Sequence, residues 1–444
     1  MKKEQLKRHG RAVCLLLALL LIAVSVLGTL SSCSAGSETV YTKEELTENV
    51  TRGATSYHNF VWQYLDEWHF PTFNSSKLKS VEVTFRDKYY KDIPHAKELS
   101  VNVGLEFLNK YYDVVDLSNE KAVTDAIIDS YVSSIEDPYA IYRTEDEYDD
   151  YSSSMSGKYT GIGIVVTQSD DGLILVTDLK EDGSAFESGV KSGDVITSVD
   201  GVPVAERGYR DSLDAISGKA GTSVTLVVDR GGESLTFTLE RRRLVNSTVS
   251  YSLIDGIGYI RISSFKLNTD DLIIEAIDYM EANGARGIVY DLRNNTGGYL
   301  SSVLNALDYI APKGTTLLSF SNDYKKDEVS KSAHTYLIPT VVLCNGMTAS
   351  AAEIFVAGIR DIADMGHLDA TIVGTKTFGK GIVQSTYTLF DGSTITMTVA
   401  YYMPPSGKNY HGEGITPDVT VEASETGDAQ LDRAMAEIQA LLTN

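Results

Sequence analysis

The spacing of apolar positions changes several times along the chain, and each change marks a segment with a different structural habit. Residues 13–30 are an almost unbroken apolar run. Between residues 59 and 132 apolar side chains recur every three or four positions, as in Val103, Leu105, Phe107, Leu108 and Tyr111. That period predicts helices packed by one face. Residues 144–157, TEDEYDDYSSSMSG, run from acids to serines without an apolar period and read as a connector. From 158 to 243 the pattern shortens to strands and glycine turns, with β-like runs at 162–166 and 173–176. The runs 223–229 and 234–239 alternate apolar and polar residues about Gly231-Gly232, which predicts a two-residue hairpin. Beyond residue 250, strands at 256–264, 287–292, 339–343, 371–374 and 393–402 alternate with helices at 270–282, up to 310, at 350–362 and at 431–442. Alternation of this kind predicts a layered α/β core.

At 444 residues the chain has room for two to four domains. The pattern divides it into a leader (1–32), an N-terminal helical region with its connector (33–157), a β-rich module (158–243), an α/β core (244–425) and a C-terminal helix (426–444). In the leader, basic residues between 2 and 11 precede the apolar run, as in an export signal. Its 18 apolar residues are also close to the lower limit for a spanning helix. Leu30-Ser31-Ser32-Cys33 followed by Ser34-Ala35-Gly36-Ser37 resembles a bacterial lipoprotein signal, in which Cys33 becomes the lipidated N-terminus. Lipid or uncleaved anchor, the expected location is the outer face of the bacterial cytoplasmic membrane or the cell envelope.

Charge and cysteine usage remove several function classes. The net charge is −22, and the leader contributes five basic residues against one acid, which leaves −26 for the rest. Such a surface repels nucleic acid, and no basic patch offsets it. Cys14, Cys33 and Cys344 offer neither a disulfide framework nor a CxxC site. The seven histidines are scattered, none in HExxH, and no GxxxxGK[ST] occurs. No metal and no cofactor are expected.

Three stretches remain that could carry chemistry. In Asp291-Leu-Arg-Asn-Asn-Thr-Gly-Gly-Tyr-Leu300 a strand ends in a polar turn with paired glycines, able to aim backbone N–H groups outward as an oxyanion hole requires. Alone, it is an ordinary strand-to-helix loop. In Cys344-Asn-Gly-Met-Thr-Ala-Ser-Ala-Ala-Glu-Ile354 a buried strand leads to Ser350 at a helix start, where unpaired N–H groups and the helix dipole favour a developing anion. Alone, Ser350 is a helix cap. In Gly374-Thr-Lys-Thr-Phe-Gly-Lys-Gly-Ile-Val-Gln384 a lysine stands between two glycines among apolar residues, a setting in which burial lowers a lysine pKa toward neutrality. A neutral lysine can take a serine's proton. Alone, Lys380 is an exposed loop lysine.

In this order, LRNNTGG, TASAAE and TFGKGIVQ, with the late run Tyr401-Tyr-Met-Pro-Pro-Ser-Gly407 and Gly414-Ile-Thr-Pro-Asp418, resemble the carboxyl-terminal processing peptidases, the tail-specific proteases of family S41. The module before them resembles a PDZ domain, through Gly161-Ile162-Gly163-Ile164 as carboxylate-binding loop and the stretch from Ser184 to Gly201. The resemblance implies a crotonase-like (ClpP/crotonase type) α/β protease core and a serine endopeptidase acting near substrate C-termini. It assigns Ser350 as nucleophile, Lys380 as general base and Gln384 as the residue orienting that base. Ala351 with Gly297 or Gly298 would form the oxyanion hole, and the PDZ loop would hold protein or peptide C-termini. Pairing into a homodimer is a further expectation by analogy. Thr296 replaces the usual proline, Thr348 and Ala352 replace serines beside the nucleophile, and 361–370 is longer than in many relatives. Two rivals stand beside this reading: a non-catalytic PDZ scaffold, and a Ser–His–Asp hydrolase using His411.

Overall fold

The computed structural model describes residues 74–443 apart from 92–95, 112, 117–118, 246 and 322–324. The leader, Cys33 and the start of the predicted helical region lie outside the described residues. Among the described residues no helix is long and apolar enough to cross a membrane. The described residues form two compact units, one of those up to 150 with those in 319–327 and 381–403, the other of the remainder.

The first unit contains the helices Ser75–Lys88, Ala96–Lys110 and Glu120–Ser134. They bury Leu78, Val81, Phe85, Val103, Phe107, Ile127, Ile128 and Tyr131, the three- and four-residue spacing read in the sequence. With them packs an antiparallel hairpin, Ile382–Thr388 against Thr394–Met403, which also pairs with the strand Ile141–Arg143. Lys77, almost fully buried, ties these parts together. Its Nζ lies 2.8 Å from Asp125 and 2.6 Å from Asp391, and it donates to the Tyr142 hydroxyl at 2.6 Å. A buried charge is tolerable only when paired in this way. The stretch 144–157, expected as a connector, is a helix over Glu145–Met155. It has no buried residue, so no apolar period announced it. Its start carries a capping box, Thr144 N–H donating to Glu147 Oε2 at 2.8 Å.

In the second unit the strand Lys158–Gly161 pairs antiparallel with Arg242–Val245, so the module between them enters and leaves at one place. Within it the strands Ile164–Gln168, Ile174–Leu179, Val195–Val199, Ser223–Arg230 and Glu233–Glu240 form one sheet over a core that includes Ile162, Val176, Ile196, Val199, Leu226 and Val228. The predicted hairpin is present, with Arg230 opposite Glu233 and Gly231 and Gly232 both at positive φ. Asp194, buried at the edge of this core, accepts from Arg230 Nε at 2.6 Å and Nη2 at 2.7 Å, and from Lys191 N–H at 2.8 Å.

The α/β part of this unit is a six-stranded sheet in the order Val249–Ile254, Ile257–Ile262, Gly287–Asp291, Thr340–Cys344, Ala370–Gly374, Val419–Thr420. The first pair is antiparallel and every other pairing is parallel. Gly287–Asp291 and Thr340–Cys344 are buried at every position, as central parallel strands covered on both faces must be. On one face the helix Ala429–Leu441 sets Ala434 and Ile438 against Ile257, Val289, Val341, Leu343 and Val373. On the other, Phe355 of the helix Ala351–Asp364 meets the Tyr290 ring edge-on, with centroids 5.1 Å apart.

The Arg230 guanidinium bonded to Asp194 holds its carboxyl below the usual carboxylate range. A depressed folded-state pKa stabilises the fold above the unfolded value of about 3.9, and that contribution is lost as pH falls through the lower folded value. Asp194→Asn is expected to lower the melting temperature at pH 7 by a few degrees and to weaken the fall in stability below pH 4. Thermal melts of both proteins across pH 2–7 check this.

Candidate active site

The parallel register sets Asp291 beside Leu343 and Cys344 beside Gly374. The loops that leave these three neighbouring strands at their carboxyl ends are the three stretches singled out in the sequence. Carboxyl ends of parallel strands are where open α/β sheets place their sites.

The first loop is fastened at its root by a fully buried Asp291. Its carboxylate accepts from Arg293 Nε at 2.9 Å and Nη2 at 2.6 Å and from the Tyr259 hydroxyl at 2.7 Å. Arg293 continues to Asp428, at the cap of the C-terminal helix, at 2.7 and 2.9 Å. Further along, buried Asn295 donates from Nδ2 to the Ile262 carbonyl at 2.9 Å and accepts Gly297 N–H on Oδ1 at 2.8 Å. Gly297 and Gly298 both have positive φ. A Cβ on Gly297 would stand 2.7 Å from the Ala349 carbonyl and 2.8 Å from Ser350 Cβ, and one on Gly298 would stand 2.0 Å from the Phe265 carbonyl. The glycines are therefore required by close approach.

The second loop is stitched to the first. Asn294 N–H donates to Asn345 Oδ1 at 3.0 Å, and Asn345 Nδ2 returns a bond to Asn294 Oδ1 at 2.8 Å. Thr348 Oγ1 donates to the Leu292 carbonyl at 2.9 Å, and Ala349 N–H to the Asn295 carbonyl at 3.0 Å. Thr348, which stands where the family usually has a serine, is thus one of the stitches. Ser350 follows as the cap of Ala351–Asp364 with φ 56° and ψ −120°, a conformation a non-glycine residue rarely adopts. It costs about 1–3 kcal/mol and persists only where the surroundings impose it. Ala351 opens the helix, so its N–H is among those a helix leaves unpaired. Gly297 N–H is committed to Asn295. Among the described residues no acceptor lies on Gly298 N–H.

The third loop reaches the second through Glu353, the last residue of TASAAE. Glu353 is fully buried. Its Oε2 accepts Ser350 N–H at 2.9 Å and Lys380 N–H at 2.8 Å, and its Oε1 accepts Gly379 N–H at 2.7 Å and the Thr377 hydroxyl at 2.6 Å. The Ser350 and Lys380 backbones therefore meet on a single oxygen. Both residues are half-buried. The S-x-x-E spacing of a capping box was the available signal for Glu353. Thr377 is held by Ile415, whose N–H donates to Thr377 Oγ1 at 2.7 Å, which explains the late Gly414-Ile415 run.

Gln384 belongs to the first unit, where its Nε2 donates to the Tyr139 carbonyl at 2.7 Å. In the β-rich module Gly161 ends a strand and Ile164 begins the next. Ile162 is buried in the module core, so only its backbone is available to a ligand; its carbonyl accepts Ala185 N–H at 3.0 Å. The Gly163 carbonyl accepts Lys180 N–H at 2.9 Å. Cys344, at the end of its strand, is buried, and burial pushes its thiol up to about 12, which makes it inert as a nucleophile.

The pattern of peptidase family S41 matches residues 256–421, and that of the PDZ domain matches residues 160–240. A relative from Staphylococcus haemolyticus (strain JCSC1435), described as a probable CtpA-like serine protease, is 33% identical over 71% of this chain and 63% of its own length. A relative of the same description from Staphylococcus aureus (strain N315) is 31% identical over 84% of this chain and 75% of its own length. A solved structure from Bacteroides fragilis NCTC 9343, described as a "Putative S41 protease", aligns over 81% of this chain and 97% of that one, with TM-score 0.50 and 16% identity, a likeness of fold. The chain spans 63% of the length of the first of these relatives. It belongs to peptidase family S41 and carries a PDZ domain.

If the surroundings impose the Ser350 backbone, glycine at 350 relieves strain that alanine keeps. Ser350→Gly is expected to be more stable than Ser350→Ala by about 1–2 kcal/mol. Denaturant unfolding of the two variants measures the difference, and equal stabilities would mean that the site stores no strain.

Proposed function

We propose that the protein is a serine endopeptidase with Ser350 as nucleophile and Lys380 as general base. The observation that carries this reading is the meeting of the Ser350 and Lys380 backbones on one Glu353 oxygen, at the N-terminus of a helix. Lys380 Nζ takes the proton of Ser350 Oγ as the oxygen forms a bond to the substrate's carbonyl carbon. The N–H groups of Ala351 and Gly298 receive the oxyanion; Gly297, already bonded to Asn295, shapes the turn that presents them. Collapse breaks the C–N bond, and Lys380 returns the proton to the leaving amine. Water then releases the acyl group and restores the serine. Gln384 retains the role of orienting the base that the family resemblance gives it, and its Tyr139 bond fixes one end of its amide. A crotonase-like core is what the family resemblance implies for this parallel α/β sheet.

The substrates in this reading are proteins or peptides whose C-termini the PDZ module binds as an added strand, with the backbone of Gly161, Ile162, Gly163 and Ile164 taking the carboxylate. Beside the site, exposed Met347 and Phe378 offer an apolar surface to the extended chain. Lipidation at Cys33 and a place on the outer face of the cytoplasmic membrane complete the proposal, as does pairing into a homodimer.

Incubation with an unfolded protein bearing an apolar C-terminus tests the chemistry. Wild type is expected to cleave it, and Ser350→Ala and Lys380→Ala to lose at least about 10³-fold in kcat/KM. A Lys380→Ala protein that still cleaves would assign the base elsewhere, and His411→Ala would then show whether that base is His411. An inert wild type would favour the PDZ scaffold.

A further inference from the structure

A glutamate three residues after a helix cap normally reaches back to its own helix and turns its other oxygen to water. Glu353 does the first and not the second. One of its four hydrogen bonds, from Ser350 N–H, belongs to the helix. The other three come from the loop that carries Lys380: Thr377 Oγ1, Gly379 N–H and Lys380 N–H. The carboxylate is fully buried, so these bonds have no water to replace them. The Thr377 hydroxyl gives its proton to Glu353, which leaves its oxygen to accept Ile415 N–H, while Thr377 N–H donates to the Ile415 carbonyl at 3.1 Å. A continuous chain of bonds thus runs from residue 415 through 377 and 353 to 350.

From this geometry we propose that Glu353 is a positioning residue that holds the nucleophile loop and the base loop in register. It touches neither the Ser350 hydroxyl proton nor substrate in this scheme; it fixes where both catalytic backbones start. The proposal rests on the reading of Ser350 and Lys380 given above. A misplacement of about 1 Å between reacting groups costs on the order of 10²-fold in rate. Reach and shape therefore matter more than charge. Glutamine keeps the length but offers one acceptor oxygen and one NH₂. Whichever way the amide turns, its NH₂ faces either Gly379 N–H or the pair Ser350 and Lys380 N–H. Aspartate keeps the charge but is one methylene too short to span from the helix to the third loop.

The test compares wild type, Glu353→Gln and Glu353→Asp in the full chain by steady-state kinetics, thermal melting and amide hydrogen exchange. Both variants are expected to melt cooperatively and to lose at least about 100-fold in kcat with KM within about threefold. In both, exchange in the segments around 350 and 377–380 should rise together, by at least about tenfold, with exchange in Thr340–Cys344 unchanged. Recovery of kcat by Glu353→Asp and not by Glu353→Gln would show that Glu353 acts through its charge, and overturns the proposal. Unchanged exchange at both segments also overturns it. Because exchange needs no turnover, an inert wild type removes the peptidase reading while a joint rise in exchange still supports the clamp.

Discussion

The buried carboxylate of Glu353 is the constraint on which the site depends. A carboxylate taken out of water without partners costs several kcal/mol. This one is stable because four donors surround it. Those donors come from two chain segments far apart in sequence, so satisfying the charge and assembling the site are the same event. The buried ion pair of Asp291 and Arg293 does a similar task one strand away, where it fastens the first loop to the end of the sheet and to the C-terminal helix cap.

Beneath these polar contacts lies the topology. Parallel pairing of Gly287–Asp291, Thr340–Cys344 and Ala370–Gly374 aligns three carboxyl ends, and with them the three loops. The packed sheet sets the loops to within a residue; the asparagines and threonines then set them to within a bond. Ser350 absorbs what misfit remains, in a backbone conformation that serine does not choose. A site built in this order has its backbone positions fixed by packing and hydrogen bonds within the protein, and such pre-set donors are what the proposed oxyanion stabilisation requires.

Much of this was legible in the sequence. The α/β alternation, the hairpin at Gly231-Gly232 and the helix beginning at Ser350 followed from periodicity and turn chemistry, because burial there imposes a regular pattern. The Glu145–Met155 helix was not legible by that route, since it has no buried face and shows only its Thr144–Glu147 cap. The strand Ile382–Thr388 was read as the tail of a loop motif, yet it pairs along its length with Thr394–Met403 and packs with the N-terminal helices. The pairing is a local hairpin that Asp391-Gly392 in its turn signals; only its packing with the helices is tertiary and leaves no local trace. At the site, Ser350 and Lys380 stood out because their neighbours are unusual. Glu353, Asn295 and Thr377 did not, because a polar residue's hydrogen-bond partners depend on which loops the sheet brings together.

The central claim is that Ser350 forms an acyl bond whose making and breaking require Lys380. Intact-mass spectrometry of protein quenched within the first turnovers of a peptide ester measures it most directly. Wild type is expected to gain an acyl mass that maps to Ser350, with neither Ser350→Ala nor Lys380→Ala acquiring it at a comparable rate. An adduct on another residue, or undiminished acylation of the Lys380→Ala protein, would contradict it.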